Sequence, residues 1–285
     1  MINSQPFFSI VIPTFNEEKY LPKLLKDLSL QTTQDFEVIV VDCQSKDKTV
    51  NKAQTFISKI PLKILTSPIA NVSLQRNLGG QAAIGQWIIF MDADNKLPAY
   101  FLDGIKYQLA KNPKVAIFTT WIKSESRSAY ATSIARIINI FFEISKSTSQ
   151  QAAVGAMIGC KQEVLKKTQF DQSQQVCEDY HFVRTVVKKG YKFAVFKEPK
   201  YYFSFRRINK EGPVKMMISA TLVRLRDLQG GDFSQHNFGY VMKGGKYYEP
   251  IEKNVLADFY RLLQKASKKQ LMQIKDLLTA PLTSD

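Results

Sequence analysis

The sequence predicts an α/β fold, a mainly parallel, Rossmann-like sheet flanked by helices, with a helical carboxyl-terminal extension. Two observations carry this. Short apolar runs rich in β-branched residues, FSIVIP at Phe8–Pro13, FEVIVV at Phe36–Val41 and WIIFM before Asp92, alternate with segments of helical periodicity. That is the order of a parallel sheet built by right-handed crossovers. The same runs end in polar residues, at Thr14 to Glu17, at Asp42, and at Asp92 with Asp94. Polar strand ends of this kind face one crevice at the carboxyl edge of the sheet, where open α/β folds bind their ligands.

The elements follow in chain order. Pro13 stops the first strand, and Thr14 to Glu18 supplies turn and helix-entry chemistry ahead of Leu21, Leu24, Leu25 and Leu28, one apolar face of a helix. A second strand closes on Asp42, and DCQSKDKT leads into a helix through Phe56. Leu62 to Leu65 is a shorter strand, and Asn71 to Gly85 a helix with Gln75, Arg76 and Asn77 near its start. After the strand at Trp87, Phe101, Leu102, Ile105 and Leu109 mark a helix and Lys114 to Trp121 a strand. Ala129 to Ser145 reads as a helix whose apolar face, Ile134, Ile137, Ile138, Phe141 and Phe142, packs in the core. Arg136 and Glu143 interrupt it, so it does not span a bilayer. Val154 to Ile158 is a Gly- and Ala-containing stretch that lets the backbone approach a ligand or another segment closely. Phe182, Val183, Val186 and Val187 give the buried face of a helix ending near Gly190, with Glu178 and Asp179 in its first turn. Tyr201 to Phe205 reads as the last strand, and Pro213 to Leu228 and Ile251 to Leu278 as peripheral helices.

At 285 residues, 45% of them hydrophobic, the chain has enough apolar surface for a large core. No run approaches a membrane span, and MINSQPFFSIVIP lacks a basic end before a cleavable apolar core, so a cytoplasmic protein is expected. Cys43, Cys160 and Cys177 show no C-x-x-C spacing and suggest neither disulfides nor a zinc site. The net charge of +15 calls for a polyanionic partner. No recognition helix, zinc finger or aromatic RNA-binding motif accompanies it, so nucleic acid is not expected, and an anionic membrane surface or a nucleotide diphosphate fits better. In the helix from Pro213, Val214, Met217, Ile218, Leu222 and Leu225 form a stripe bordered by Lys215, Arg224 and Arg226. That composition suits a head-group layer.

The chemistry is read from the strand ends. Asp92 and Asp94 are hard oxygen donors suited to Mg²⁺ or Mn²⁺ accompanying a phosphorylated substrate. Asp179 in a helix first turn is held ionised by the helix dipole, as a general base requires. Arg206 and Arg207 after the last strand can clamp a diphosphate, and His236 is a candidate third metal ligand. The first turn, PTFNEE, lacks G-x-G-x-x-G, and no G-x-x-x-x-G-K-[ST] occurs, which sets aside dehydrogenase and P-loop readings.

Four runs, FSIVIPTFNEE, VIVVDCQSKDKT, SLQRNLGGQAAIGQWIIFMDAD and FDQSQQVCEDYHFVRTVVKKGYK, in this order and spacing resemble the family 2 glycosyltransferases with the GT-A fold. The resemblance implies an inverting, metal-assisted transfer of a sugar from a nucleotide-diphosphate sugar to a hydroxyl or phosphate acceptor, lipid-linked or glycan, in cell-envelope polysaccharide or glycolipid synthesis. It implies a catalytic domain over residues 1–210, with the nucleotide-sugar side at about 1–95 and the acceptor side at about 96–210, and an extension over 211–285. Carried over by residue, it assigns Pro13, Thr14 and Glu17 to a nucleotide-binding loop, Asp42 to the base, and Arg76 and Asn77 to the nucleotide and phosphate pocket. Asp94 falls to the metal, Asp92 to the metal and ribose, and Asp179 to catalysis with Glu178 beside it. Where many members read D-D-G-S or D-G-G-S, this chain has Asp42, Cys43, Gln44 and Ser45. The alternatives are a sugar-phosphate nucleotidyltransferase, which would carry a Gly-rich basic loop after the first strand, and a non-enzymatic basic protein for nucleic acid or anionic lipid. The latter gives no reason for Asp42, Asp92, Asp94 and Asp179 to share a crevice.

Overall fold

The structure is a computed structural model that describes residues 5–126, 128–146, 155–174 and 177–206. In order these form β1 (Phe8–Thr14), α1 (Leu21–Ser29), β2 (Phe36–Asp42), α2 (Thr49–Gln54), β3 (Leu62–Thr66), α3 (Val72–Ala82), β4 (Trp87–Met91), α4 (Phe101–Lys111), β5 (Val115–Ser124), α5 (Ala129–Lys146), β6 (Met157–Lys161), α6 (Gln162–Lys167), α7 (Glu178–Lys188) and β7 (Lys192–Phe203). The strands make one seven-stranded sheet in the order β3-β2-β1-β4-β6-β5-β7. All pairings are parallel except those of β6, which runs antiparallel to β4 and β5.

The strand order runs one way from β1 through β2 to β3 and reverses at β4. The crevice outside the carboxyl ends of β1 and β4 is therefore the switch point at which such sheets take ligands. Register fixes the edge: Thr14 pairs with Asp42, and β4 lies on the other side of β1 with Val11 opposite Phe90. β1, β2 and β4 are buried along their whole length, which explains why they read as continuous apolar runs rather than alternating ones.

Under the crevice, Phe170 stacks on Phe182 with ring centroids 4.0 Å apart and meets Phe90 edge-on at 4.9 Å. Helix α3 is capped by Asn71, whose side chain accepts from the Leu74 N–H at 2.9 Å. It then presses against β1 and α6, where a Cβ on Gly79 would stand 2.3 Å from Val11 and one on Gly80 2.0 Å from Leu165. Only glycine allows that approach.

Three sequence expectations are corrected. The last strand begins at Lys192, not Tyr201. Lys197, Glu198 and Pro199 break its apolar pattern, which an edge strand tolerates. The stretch around Val154 to Ile158 leads into β6, a central antiparallel strand too short and too fully buried to show a period. In α5, Phe142 is buried but Ile137 and Phe141 are exposed, so the apolar residues read as one core face lie on two sides of the helix. Among the described residues no helix is long and apolar enough to cross a membrane. Arg207, His236 and the extension over 211–285 lie outside the described residues.

Candidate active site

The first two strand ends are fastened to each other. Asp42, buried, accepts from the Thr14 hydroxyl at 3.1 Å and from the Ser45 hydroxyl and N–H at 2.6 and 2.8 Å. The Ser45 hydroxyl in turn accepts from the Asn16 N–H at 2.7 Å, and Asn16 Oδ1 accepts from the Lys46 N–H at 2.9 Å. Both loops turn through left-handed residues, Asn16 at φ 55° and Gln44 at φ 48°. Pro13 lies within β1 opposite Val41, and buried Glu17 donates its N–H to the Thr49 hydroxyl oxygen at 2.7 Å while its carbonyl starts α1.

Gln75 completes this frame and had not been assigned a role from the sequence. It is buried, and its Nε2 donates to the carbonyls of Thr14 at 2.9 Å and Val41 at 2.7 Å, joining the ends of β1 and β2 to α3. Its signal was in the chain: Gln75 and Arg76 each stand one helical turn before a glycine of the Gly79–Gly80 pair, so the face that the glycines press on the sheet also carries these two polar side chains to the sheet edge.

Arg76 is the centre of the second group. Its side chain is only 2% exposed and reaches three segments: Nη1 donates to Glu178 Oε1 at 2.7 Å, while Nη2 donates to the Gly155 carbonyl at 3.0 Å and to Asp92 Oδ1 at 3.4 Å. The guanidinium lies over the Phe170 ring, 5.2 Å from its centroid. Burial by itself would lower the Arg76 pKa; the charges of Glu178, Asp92 and Asp179 outweigh it and raise it. Asn77, next along α3, is also buried and uses its amide on Phe170, donating to the carbonyl at 2.8 Å and accepting from the N–H at 2.9 Å.

Asp179 lies in the first turn of α7, next to Glu178, the partner of Arg76. One carboxylate oxygen accepts from the Gly155 N–H at 2.5 Å and the other from the Tyr180 N–H at 2.7 Å. The expectation that the helix start holds Asp179 ionised is corrected: burial, then the neighbouring charge of Glu178, push its pKa up to about 7, against Arg76 and the two N–H donors, which favour the charged form. Gly155 is the hinge of this arrangement. A Cβ there would stand 2.7 Å from Arg76 Nη2 and 3.0 Å from Asp179 Oδ2, so the backbone approach expected of the stretch is onto these two side chains.

Asp92 and Asp94 follow β4 and keep part of their surface open. The Asp92 N–H donates to the Ala156 carbonyl at 3.1 Å, and Asn95 Nδ2 donates to the same carbonyl at 2.5 Å, which anchors the turn to the segment that holds Asp179. The Tyr201 hydroxyl is buried without a hydrogen-bond partner among the described residues, and its pKa is raised by burial and by the charges of Asp92 and Asp94. Among the described residues no group of three or more His, Cys, Asp or Glu could hold a metal ion. The donor set still fits Mg²⁺ or Mn²⁺, because these ions are taken by one or two carboxylates with substrate phosphates and water completing the shell.

The structure thus joins Arg76, Asp92, Glu178 and Asp179 in one cluster and Thr14 and Asp42 in a second on the same sheet edge. Arg206 stands past the end of β7 as the last described residue.

The profile of glycosyl transferase family 2 matches residues 9–169, more than half of the chain. Over 92 residues, 31% of this chain and 16% of the relative, it is 35% identical to the poly(ribitol-phosphate) β-N-acetylglucosaminyltransferase TarS of Staphylococcus aureus. Over 220 residues, 73% of this chain and 24% of the relative, it is 24% identical to the minor teichoic acid biosynthesis protein GgaB of Bacillus subtilis. The chain thus spans a quarter or less of these two relatives. In fold it is similar to the mannosyltransferase PcManGT of Pyrobaculum calidifontis, solved with GDP-Man and Mn²⁺, with a TM-score of 0.62 at 16% identity, covering 99% of this chain and 82% of that one. With a GT-A-type sheet, a D-x-D turn at its switch point and the family profile across it, the chain belongs to glycosyl transferase family 2.

Proposed function

We propose that the protein transfers a sugar from a nucleotide-diphosphate sugar to a hydroxyl or phosphate acceptor with inversion, in cell-envelope polysaccharide or glycolipid synthesis. The observation that supports this reading is that Arg76 pairs with both Asp92 of the D-x-D turn and Glu178, with the charge of Asp179 acting on it as well. Asp179 takes the proton of an acceptor hydroxyl as its oxygen attacks the anomeric carbon. The bond from that carbon to the diphosphate oxygen breaks, and the diphosphate leaves with the electron pair. Asp94 and Asp92 would hold Mg²⁺ or Mn²⁺, with His236, outside the described residues, kept as the third ligand candidate from the sequence; a bound ion would offset charge gathering on the diphosphate. Thr14, Pro13, Glu17 and Asp42 are assigned to the nucleotide and Arg76 and Asn77 to the wall of its pocket, with Arg206 and Arg207 kept as the sequence candidates for the diphosphate. Glu178 acts beside Asp179 as the counter-ion of Arg76.

The relatives' names, a poly(ribitol-phosphate) β-N-acetylglucosaminyltransferase and a minor teichoic acid biosynthesis protein, support an envelope-polymer acceptor; a lipid-linked or glycan acceptor and action at the inner face of the cell membrane belong to the same proposal. Thermal shift against a panel of nucleotide diphosphates tests the reading. One or two should stabilise the protein, and only with Mn²⁺ or Mg²⁺ present. Indifference to every nucleotide, together with salt-sensitive DNA binding, sinks it.

A further inference from the structure

Helix α5 rests on the sheet through Ala131, Ala135 and Phe142, yet its other side is also apolar: Ile137 is 60% exposed, Ile140 38% and Phe141 50%. The spacing puts these three on one stripe. An exposed apolar stripe beside polar residues marks an interaction surface. The charges beside the stripe say with what. Arg136 is exposed on the same side. At the carboxyl-terminal end of α5, Lys146 and Lys197 line an open groove of about 510 Å³ with Gln108, Asn112, Phe193 and Glu198. Lys197 and Lys200 stand 5.3 and 5.4 Å from the centroid of Trp121, whose Nε1 donates to Glu143 of α5 at 3.0 Å. Glu143 also pairs with Lys146, and Glu198 with Lys200.

Four cations against two carboxylates leave this border positive. A second copy docked face to face would set the border against itself, like charge on like. An anionic lipid surface meets both halves of the pattern, since cations and an indole around an apolar stripe are what an interfacial helix presents to head groups. We propose that the outward stripe of α5, with Arg136, Lys146, Lys197 and Lys200, seats the protein on an anionic phospholipid surface. Ile137, Ile140 and Phe141 enter the head-group layer, and the cations meet lipid phosphates. The segment is distinct from the helix after Pro213 in which the sequence suggested such contact.

The inference rests on the reading of an envelope transferase, but binding is measured without sugar transfer, so the two fail separately. The full chain is sedimented with vesicles of phosphatidylcholine alone or mixed in equal parts with phosphatidylglycerol. Binding is expected to the mixed vesicles only and to weaken with salt. The double variant Ile140→Ser, Phe141→Ser should bind on the order of tenfold less tightly, and Lys197→Gln on the order of fivefold less. Both variants change exposed side chains, so unchanged thermal unfolding is expected alongside. The proposal is overturned by absent vesicle binding, by equal binding of wild type and the apolar double variant, or by a dimer in solution that the double variant abolishes while vesicles are ignored.

Discussion

Arg76 and Glu178, 102 residues apart in sequence, form an ion pair of 2.7 Å in which neither side chain is more than 5% exposed. It fastens α3 to the start of α7, and through Arg76 Nη2 it also reaches Asp92. Two buried charges are costly to desolvate, but removing one partner leaves the other uncompensated, with a penalty of about 3–5 kcal/mol. Glu178→Ala should lower the free energy of unfolding by about that amount. A loss below about 1 kcal/mol in a denaturant titration would mean that the pair is solvated, as exposed pairs are.

This pair also marks where sequence reading stops. β1, β2 and β4 were legible because wholly buried parallel strands are written as apolar runs, and Asp42, Asp92 and Asp94 were legible because they end those runs. Glu178 and Asp179 were legible as a helix start. That Arg76 turns into the protein toward Glu178 was not, since no local pattern encodes a partner four helices later. The two-sidedness of α5 escaped for a related reason: Ile134, Ile137, Ile138 and Ile140 lie on the exposed and half-buried sides while Ala131, Ala135 and Phe142 face the sheet, so the most apolar face is not the one that packs.

The raised pKa of Asp179 predicts two pH effects. A general base works unprotonated, so kcat/KM of the free enzyme should rise with pH through a limb near 7. Asp179→Asn should lower turnover on the order of 100- to 10,000-fold and remove the limb, while calorimetric donor binding persists. Stability moves the opposite way. The folded state holds this proton more tightly than the unfolded chain does, so the contribution of Asp179 is fully present below 3.8 and is lost as pH rises to about 7. In Asp179→Asn that part of the pH dependence should flatten. A variant that keeps near-normal sugar transfer would displace Asp179 from the role of base.

Gly155 is predicted to matter for rate more than for binding. An alanine Cβ would press on Arg76 Nη2 at 2.7 Å and on Asp179 Oδ2 at 3.0 Å, and neither can yield without shifting its hydrogen bonds to the Gly155 backbone. Overpacking costs about 1–3 kcal/mol, and moving a catalytic group by about 1 Å costs roughly 100-fold in rate. Gly155→Ala should therefore fold, melt lower, and lose kcat with little change in donor KM. An equal loss in donor affinity would place the glycine against the donor instead.

The loop after β2 allows the opposite kind of prediction. Gln44 occupies the position where many family members carry glycine, and it does so at φ 48°, in the left-handed region. A side chain there costs about 1–2 kcal/mol, while glycine adds about 0.4–1 kcal/mol of unfolded-state entropy against folding. Gln44→Gly should therefore raise the free energy of unfolding by up to about 1 kcal/mol. Asn16 provides the contrast. Its φ of 55° is similar, but asparagine tolerates that region, and its Oδ1 holds the Lys46 N–H at 2.9 Å. Asn16→Gly should destabilise, because it deletes that bond without relieving strain. If both glycine variants moved stability the same way, backbone conformation alone would govern the two loops, and the fastening of Asn16 to the loop after β2 would carry no energy.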